Sequence, residues 1–373
     1  MSTLGIDLPA EFSQPQVISD TAGELSDLVR TALENPLDYP PLREAVFPGD
    51  QVAVAVHPDV PCGGRVTQAV LDYLLEMGLN AEDITLVVAN RMNYETPAQP
   101  ANLRVARHDQ VDDQAVAYLA ANQDGDPIKI NRELFDADVI LPITCRDNRE
   151  LSNDLYPEFS TAETQARFHA APYTPAQQQG EVRLTNEHLG VFISFNVVGG
   201  PGGEIRAVTF GEKEKSDRSA ERLGEQIWSL VPQGAVPIVI ATIEEDPGQQ
   251  TWWHFCRALI AANDVSDGDG QIVICSDLET EPSDEIRQAF TLPFEGDEES
   301  IWQNLRQMDE VLQRVVPILM DRQVFLKSNL SDAAIEELGI GPISSQAEFN
   351  RLVERAKDGI VLRDAHKVNV GKE

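Results

Sequence analysis

The sequence predicts an α/β protein of two domains, each a mainly parallel sheet with flanking helices, with a ligand cleft between the domains. Three observations lead to this fold class. The chain has 373 residues, which suggests two domains of about 100 to 200 residues each. Its hydrophobic content of 42% is that of a globular protein with buried cores. In both halves, apolar runs typical of buried strands alternate with amphipathic helical segments.

The first half begins with a helix and continues with a strand–helix–strand unit. Leu25, Val29 and Leu33 share one face of the opening segment, which predicts an amphipathic helix. The sequence then predicts a buried strand, a helix that ends at Gly78 and a second buried strand, in the segments QVAVAV, TQAVLDYLLEMG and DITLVVAN. The crossover of this unit should be right-handed.

The rest of the first half predicts strands, helices and one β-hairpin. Strands are predicted in the segments RVARHD, PIKIN and DVILPIT. Helices are predicted at QAVAYLAAN and at STAETQARFHAA, the second with a capping box from Ser160 to Glu163. The turn GGPGG lies between the runs LGVFISFNVVGG and GEIRAVTFGE, which predicts a β-hairpin.

A second α/β block follows a boundary placed between Ser216 and Gln233. Its strands are predicted at AVPIVIATI, GQIVICSDL and RQVFLKSNL. Its helices are predicted at TWWHFCRALIAAND, SDEIRQAF and SIWQNLRQMDEVLQRVVPILM. The ends of the strands in both halves are then expected to face the cleft, which is the usual position for a ligand.

Composition excludes several classes of function. The net charge is −33, from 62 acidic and 29 basic residues, so we expect neither nucleic-acid nor membrane binding. No apolar run approaches the ~20 residues that span a bilayer, and the N-terminus lacks the pattern of a signal peptide, so the expected location is cytoplasmic. None of the four cysteines has C-x-x-C spacing, so no metal site is predicted. If the substrate is an anion, its site must supply local positive charge, so arginines in loops are candidates for binding it.

The segment HPDVPCGGRV follows a predicted strand and opens a helix, the position at which α/β sheets bind ligands. It matches neither G-x-G-x-x-G nor G-x-x-x-x-G-K-[ST], so nucleotide binding is not indicated. Asp59 is a candidate for orienting a hydroxyl, and Arg65 for holding a carboxylate in a fork. The alternative is that Asp59 caps a turn and Arg65 is solvated.

Other strand ends and helices carry further candidates. Arg91, after the second strand, is the best single candidate for binding an anion, against the alternative of a surface arginine. Arg146, at a later strand end, is a further candidate for binding the substrate anion. It follows Cys145, and no nearby histidine supports a nucleophilic cysteine there. Two histidines are candidate catalytic residues: His108 at a strand end, and His169 on a helix as a general base. His254 and Arg257 lie three residues apart on one helix face and are candidates for binding the substrate. For His108 and His169 the alternative is a structural role, and for His254 with Arg257 the alternative is a pair of surface residues.

Over nearly its full length the chain resembles the lactate racemase family of nickel-pincer enzymes. The resemblance lies in the order and spacing of segments such as ALENPLDYPPLREAVFPGDQVAVAV, ELFDADVILPIT and STAETQARFHAA. It implies a lactate-racemase-like N-terminal domain at 1–220 and a C-terminal domain at 221–373. Members of the family racemise or epimerise 2-hydroxy acids with a nickel pincer cofactor that is tethered through a lysine, and two histidines move the hydroxyl proton.

The family's chemical residues match this sequence only in part. Asp59, Arg91, the pair His108–Asp109 and His169 match the family's pattern. The resemblance puts Asn90 in place of a histidine, Asn153 or Asp154 in place of the tethering lysine, and His254 and Arg257 in place of a glutamine and a lysine. The segment PITCRDNRELSNDLYPEF has neither the nickel-binding histidine nor a lysine. No cofactor is therefore predicted, and two-base racemisation is not expected.

Three hypotheses remain. The first is a divergent enzyme that acts on a small 2-hydroxy acid or sugar acid without a covalent pincer, with His169 as base and arginines that bind the anion. The second is a binding protein for such a small anionic metabolite, without turnover. The third is a racemase or epimerase that holds its cofactor noncovalently. The sequence predicts no oligomeric state.

Overall fold

The computed structural model describes residues 6–10, 12, 24–89, 102–112, 114–146, 154–169, 174–201, 203–230, 234–244, 249–292, 298–306 and 308–371. The chain divides into two compact units. The N-terminal unit comprises residues 20–200 and 204–226, and the C-terminal unit comprises 1–19, 201–203 and 227–373. The boundary predicted at residues 220 and 221 lies within a helix, Lys213–Trp228, whose last two residues belong to the C-terminal unit.

The N-terminal unit contains a six-stranded sheet in the order β3-β2-β1-β6-β7-β8. All neighbours in it are parallel except β7 and β8, which form the predicted hairpin. A separate antiparallel pair is formed by β4 and β5. The strands are β1 (Val52–Val56), β2 (Ile84–Ala89), β3 (Arg104–His108), β4 (Val116–Ala121), β5 (Pro127–Asn131), β6 (Val139–Cys145), β7 (Ile193–Gly199) and β8 (Ile205–Glu212).

Helices cover both faces of this sheet. Val54 of β1 packs into one hydrophobic cluster, with residues of α1 and α3, whereas Ala53 and Ala55 pack into another, with residues of α5 to α7. Successive side chains of a strand point to opposite faces, so each face has its own core. The helices are α1 (Leu25–Glu34), α2 (Leu42–Ala45), α3 (Gly63–Glu76), α4 (Arg132–Phe135), α5 (Leu155–Glu158), α6 (Ala162–His169), α7 (Pro175–Leu189) and α8 (Lys213–Trp228).

The C-terminal unit contains a five-stranded, fully parallel sheet in the order β13-β12-β11-β10-β14. Two short strands, β9 and β15, pair beside it. The strands are β9 (Ser229–Leu230), β10 (Val236–Thr242), β11 (Ser266–Cys275), β12 (Gln323–Lys327), β13 (Gly341–Pro342), β14 (Ile360–Leu362) and β15 (Asn369–Val370). The helices are α9 (Trp252–Val265), α10 (Asp284–Thr291), α11 (Glu298–Leu305), α12 (Glu310–Asp321), α13 (Asp332–Glu336) and α14 (Gln346–Ala356).

The start of the chain packs in the C-terminal unit. Ile6 and Phe12 are buried in a hydrophobic cluster with Ile238 and Ile240 of β10. The Asp7 backbone N–H donates to the Gln346 side chain at 2.7 Å. These contacts join residues far apart in sequence, so the predicted division into consecutive domains did not include them.

Two local predictions are wrong. The segment QAVAYLAAN forms strand β4 rather than a helix, because it pairs with β5 across a tight turn. In that turn, the Asn122 Oδ1 accepts the backbone N–H groups of Asp124 and Asp126, at 3.0 and 2.8 Å. The single long helix predicted at 300–320 is two helices, α11 and α12, because Asp309 caps α12 by accepting the Val311 N–H.

Each main sheet contains one point at which the order of its strands reverses. In the N-terminal sheet, β1 has β2 on one side and β6 on the other. In the C-terminal sheet, β10 has β11 on one side and β14 on the other. In open parallel sheets, ligands bind beyond the carboxyl ends of the strands at such a switch point. Within the described residues, no helix is both long and apolar enough to cross a membrane.

Candidate functional site

The N-terminal switch point lies where β1 and β6 end. The His57 N–H donates to the Ile143 carbonyl oxygen at 2.9 Å, and the Asp59 N–H donates to His57 Nδ1 at 3.2 Å. The Cys145 thiol donates to the Asp59 carbonyl oxygen at 3.2 Å. The predicted residue Asp59 is therefore at the switch point, half-buried, beside the fully buried His57.

The helix that follows this loop carries the second candidate of the segment. Cys62 has φ 51°, in the left-handed region, and precedes the first residue of α3. Arg65 lies in the first turn of α3, where its N–H donates to the Cys62 carbonyl oxygen at 2.9 Å and its side chain is exposed. The side chain of Arg65 is therefore accessible to an anion from solvent.

Arg146 is not a solvent-facing cation. It is 6% exposed and lies in a cluster of four charged side chains, the buried quartet: Arg146, Asp154, Lys213 and Asp217. Lys213 Nζ donates to Asp154 Oδ2 at 2.7 Å and to Asp217 Oδ2 at 2.9 Å. Arg146 Nη2 donates to Asp217 Oδ2 at 3.0 Å and lies 3.5 Å from Asp154 Oδ2. The two positive charges of the quartet therefore equal its two negative charges.

The charge balance sets the protonation states of the buried quartet. Burial alone would raise the pKa of Asp154, but Lys213 and Arg146 lower that pKa to about 2. Burial alone would lower the pKa of Lys213, but Asp154 and Asp217 raise it above its ordinary value. Lys213 is therefore a protonated ammonium group near neutral pH and not a nucleophilic amine.

Strand β7 completes the surroundings of the quartet. Asp217 Oδ1 accepts the Ser194 hydroxyl at 2.7 Å and the Asn196 Nδ2 at 2.9 Å. The Thr144 hydroxyl donates to Asn196 Oδ1 at 2.7 Å. These hydrogen bonds fix Asp217 from the side opposite Lys213, so the quartet is part of a connected buried network.

His108 is fully buried at the end of β3, and both of its ring nitrogens are hydrogen-bonded. Nε2 lies 2.8 Å from the Ser160 carbonyl oxygen, which can only accept, so Nε2 carries the proton. Nδ1 accepts from the Asn131 Nδ2 at 3.1 Å, and the Asn131 Oδ1 accepts the Glu133 N–H. Burial lowers the pKa of His108, so the ring is neutral near pH 7. This geometry supports a structural role, and the catalytic role of His108 stays a prediction.

His169 is the last residue of α6, a helix that is held by a buried carboxylate. Glu181 of α7 accepts both Arg167 Nη1 at 2.7 Å and Arg167 Nη2 at 3.1 Å. It also accepts the Tyr156 hydroxyl at 2.6 Å and the Asn122 Nδ2 at 2.5 Å. The side chain of His169 is outside the described part of the structure, so its role as base stays a prediction.

Two further predictions concern this unit. Arg91, with its neighbour Asn90, lies in the range 90–101, outside the described residues. The predicted cap of α6 is displaced by one residue, because the Thr161 hydroxyl, and not that of Ser160, accepts the Thr164 N–H at 3.2 Å. The Ser160 hydroxyl instead donates to the Lys129 carbonyl oxygen at 2.6 Å.

The C-terminal switch point brings His254 together with residues that the sequence did not indicate. His254 is buried in the first turn of α9, and its Nδ1 donates to the Gln249 carbonyl oxygen at 2.8 Å. His366 is buried too, and its Nε2 donates to Gln249 Oε1 at 2.5 Å. The two imidazole rings are 4.8 Å apart. Arg257, one turn further along α9, is half-buried.

The cysteines of the C-terminal unit are buried thiols. Burial raises the pKa of Cys275 to about 12 and also raises the pKa of Cys256. Neither thiol is a nucleophile near neutral pH. In the part of the chain that the structure describes, no group of three or more His, Cys, Asp or Glu residues is arranged to hold a metal ion.

The N-terminal part of the chain is similar in sequence to a known domain. The sequence profile described as the lactate racemase N-terminal domain matches residues 9–145. The first part of the chain is therefore similar to this domain of the lactate racemase family. No curated protein sequence matches the chain.

Two solved structures have the same fold over most of this chain. The lactate racemase apoprotein from Thermoanaerobacterium thermosaccharolyticum is similar, with a TM-score of 0.70 and 16% identity, over 98% of this chain and 97% of that one. A protein from Thermotoga maritima is similar too, with a TM-score of 0.64 and 14% identity, over 93% of this chain and 97% of that one. The predicted α/β fold class is confirmed.

The tethering position does not fit the covalent pincer cofactor of the family. The resemblance puts Asn153 or Asp154 there, and Asn153 is outside the described residues. Asp154 is a buried carboxylate that is ion-paired with Lys213 and Arg146. A carboxylate cannot form the amide-type link that an amine forms. The amine that contacts Asp154, Lys213, is held in its charged form by Asp154 and Asp217.

Proposed function

We propose that this divergent lactate racemase relative acts on a small 2-hydroxy acid or sugar acid without a covalently tethered nickel pincer. The family supports the class of substrate, and the buried quartet supports the loss of the tether. The resemblance gives the tethering position to Asn153 or Asp154, and at Asp154 the carboxylate is neutralised by Lys213 and Arg146. That ion-paired Asp154 is the single observation on which the proposal depends.

The proposed roles follow from position and charge. Asp59, at the N-terminal switch point, orients the substrate hydroxyl, and Arg65 and Arg91 bind its carboxylate. His169 is the base that removes a proton. Arg146 is excluded from binding the substrate carboxylate through Nη2, because Asp217 and Asp154 already occupy that nitrogen.

Exchange of solvent deuterium tests the proposal. The purified full-length chain is incubated in D2O with D-lactate, L-lactate and D-glycerate, and deuterium at C2 is measured by NMR. Wild type should incorporate deuterium into at least one acid, and His169→Asn should reduce the rate at least about a hundredfold, the usual contribution of general base catalysis. His188→Asn, at an exposed position on α7, is the matched control and should leave the rate unchanged.

A second candidate function is ligand binding without turnover. The surroundings of His108 favour it: both ring nitrogens of His108 are hydrogen-bonded, and burial lowers its pKa. With His108 in a structural role, a two-base mechanism has only His169 among the predicted bases. Thermal stabilisation of the protein by a 2-hydroxy acid, with no deuterium incorporation, supports this candidate and contradicts the enzymatic one.

A further inference from the structure

A buried lysine and a buried tryptophan meet where the short strands β9 and β15 begin. Trp228 is the last residue of α8 and directly precedes β9. Lys367 ends the 3-10 turn Ala365–Lys367, two positions before β15. The Lys367 ammonium lies 5.6 Å from the centre of the Trp228 ring. Trp228 is 1% exposed and Lys367 is 7% exposed, so most of the surface of both side chains is covered.

Both side chains carry a donor without an acceptor. Trp228 Nε1 is buried and has no hydrogen-bond partner among the described residues. Lys367 Nζ forms no ion pair and no hydrogen bond with the part of the chain that the structure describes. Its contact with the Trp228 ring is a cation–π contact, which supplies no acceptor. Because buried donors in proteins are nearly always paired, we expect an acceptor from solution, a ligand or a water molecule, at this position.

The carboxylates closest in sequence to Lys367 are already bound by other groups. Glu244 Oε1 accepts the Arg363 Nε at 2.9 Å and the Thr242 hydroxyl at 2.8 Å. Asp364 Oδ1 accepts the Glu244 N–H at 2.9 Å. Among the described residues, Lys367 is therefore a buried positive charge without a counterion, in a chain that has 62 acidic residues. A buried charge is costly unless it is paired, which favours an anion from solution over a water molecule.

The donors of the site favour a single-atom anion over an oxyanion. A carboxylate or a phosphate carries several oxygen atoms that lose water when they are buried, and each needs a donor. A dianionic phosphate would also meet the repulsion of a chain whose net charge is −33. A halide ion needs few donors, and two hydrogen bonds of about 3 Å can bridge nitrogen atoms up to about 6 Å apart. The position of Lys367 Nζ beside the Trp228 ring is compatible with such a bridge.

We propose that a chloride ion binds between Lys367 Nζ and the Trp228 Nε1–H group and is the counterion of this buried lysine. The site is independent of the function proposed above, because it needs no hydroxy acid. The parallel pairing of Ser229 with Asn369 fixes Trp228 beside the turn that contains Lys367. Bound chloride therefore stabilises the contact between the end of α8 and the turn after β14.

Chlorine NMR of the full-length chain tests the site, because exchange with a protein site broadens the line of free chloride. Wild type should broaden the line saturably. Lys367→Met keeps an unbranched stem without the charge, and Trp228→Phe keeps an aromatic ring without the N–H group. Each should weaken chloride binding at least about tenfold, as expected for a lost hydrogen bond to a charged group. Lys215→Met removes a charge at an exposed position of α8 and should bind chloride as wild type does.

Wild-type crystals grown in sodium bromide test the same site without a variant, in case Lys367→Met or Trp228→Phe does not fold. Anomalous scattering should place a bromide ion within hydrogen-bond distance of Lys367 Nζ and Trp228 Nε1. Chloride binding that is unchanged in the two folded variants, or a water molecule in place of bromide in the crystals, would overturn the site. Displacement of chloride by an equal concentration of acetate or inorganic phosphate would overturn its assignment to a halide.

Discussion

At the scale of single residues, the buried quartet sets the charge state of Asp154 and Lys213. The Asp154 carboxylate accepts a hydrogen bond from Lys213, which lies 59 positions later in the sequence. Lys213 in turn lies one helical turn from Asp217. Neither pair is recognisable from the sequence, where Lys213 is one of two lysines near a predicted domain boundary. The sequence did indicate that the tethering lysine is missing, and the structure adds what the replacement contacts.

Asp154→Asn should destabilise the protein by about 3 kcal/mol at pH 7, because it leaves two buried cations with one carboxylate. The pKa of Asp154 is lowered to about 2 in the folded state, so the carboxylate stabilises wild type above the unfolded pKa of 3.8. This contribution is lost as the pH falls from 3.8 to about 2, and Asp154→Asn should lack that part of the pH dependence. Urea unfolding between pH 2 and 7 measures it.

Asp136→Asn is the control, since Asp136 is an exposed residue at the end of α4. It should cost less than about 0.5 kcal/mol. Equal stability of Asp154→Asn and Asp136→Asn at pH 7 would contradict the ion pairing of Asp154.

His108→Leu should cost about 1–3 kcal/mol at pH 7, because it leaves the Asn131 amide and the Ser160 carbonyl oxygen without their partner. Burial lowers the pKa of His108, so the folded state favours the neutral ring. The contribution of His108 to the free energy of unfolding is complete above pH 6.5. It decreases as the pH falls below 6.5 toward the lowered pKa of the folded state. Chemical unfolding at pH 5 and pH 7.5 should show this decrease in wild type but not in His108→Leu, with the exposed His188→Leu as control.

At the scale of elements, one buried carboxylate holds several segments of the N-terminal unit together. Glu181 of α7 contacts Arg167 of α6, Tyr156 of α5 and Asn122 at the end of β4. The β4 segment itself was predicted as a helix, because its alanines favour one and the turn at Asn122 was not recognised. Without β4 as a strand, the sequence could not place Asn122 beside Glu181.

Glu181→Gln should cost about 2 kcal/mol or more, because the buried Arg167 contact loses its charge and part of its bidentate geometry. Glu187→Gln is the matched control on the same helix. Glu187 pairs with Arg183 at 2.7 Å, but both side chains are more than half exposed, so the loss should stay below about 0.5 kcal/mol. Thermal unfolding by circular dichroism compares the two, and equal losses would contradict the role assigned to Glu181.

At the scale of the whole molecule, the fold was predictable and the site only partly so. Periodicity and turn residues predicted both parallel sheets and the β7–β8 hairpin, because buried strands and helices leave strong local patterns. The contact between Gln249 and His366 was not predicted, because the two residues are 117 positions apart in the sequence. The sequence singled out His254 alone.

The net charge of −33 predicts a salt effect on the whole molecule. Carboxylates that repel one another destabilise the compact state, and salt screens this repulsion over a Debye length of about 3 Å at 1 M. The melting temperature should therefore rise between 0.05 and 1 M KCl (roughly the range over which screening becomes effective). Calorimetry measures it, and a constant or falling melting temperature would contradict the prediction.

The central claim is that this chain keeps the lactate racemase fold without the covalent pincer cofactor. The most direct measurement is the intact mass of the full-length protein, with its nickel content and visible absorbance, after expression in a host that makes the pincer. We expect the mass of the unmodified chain, with nickel far below one atom per chain and no visible chromophore. Stoichiometric nickel with a chromophore, and a mass increased by the cofactor, would contradict it.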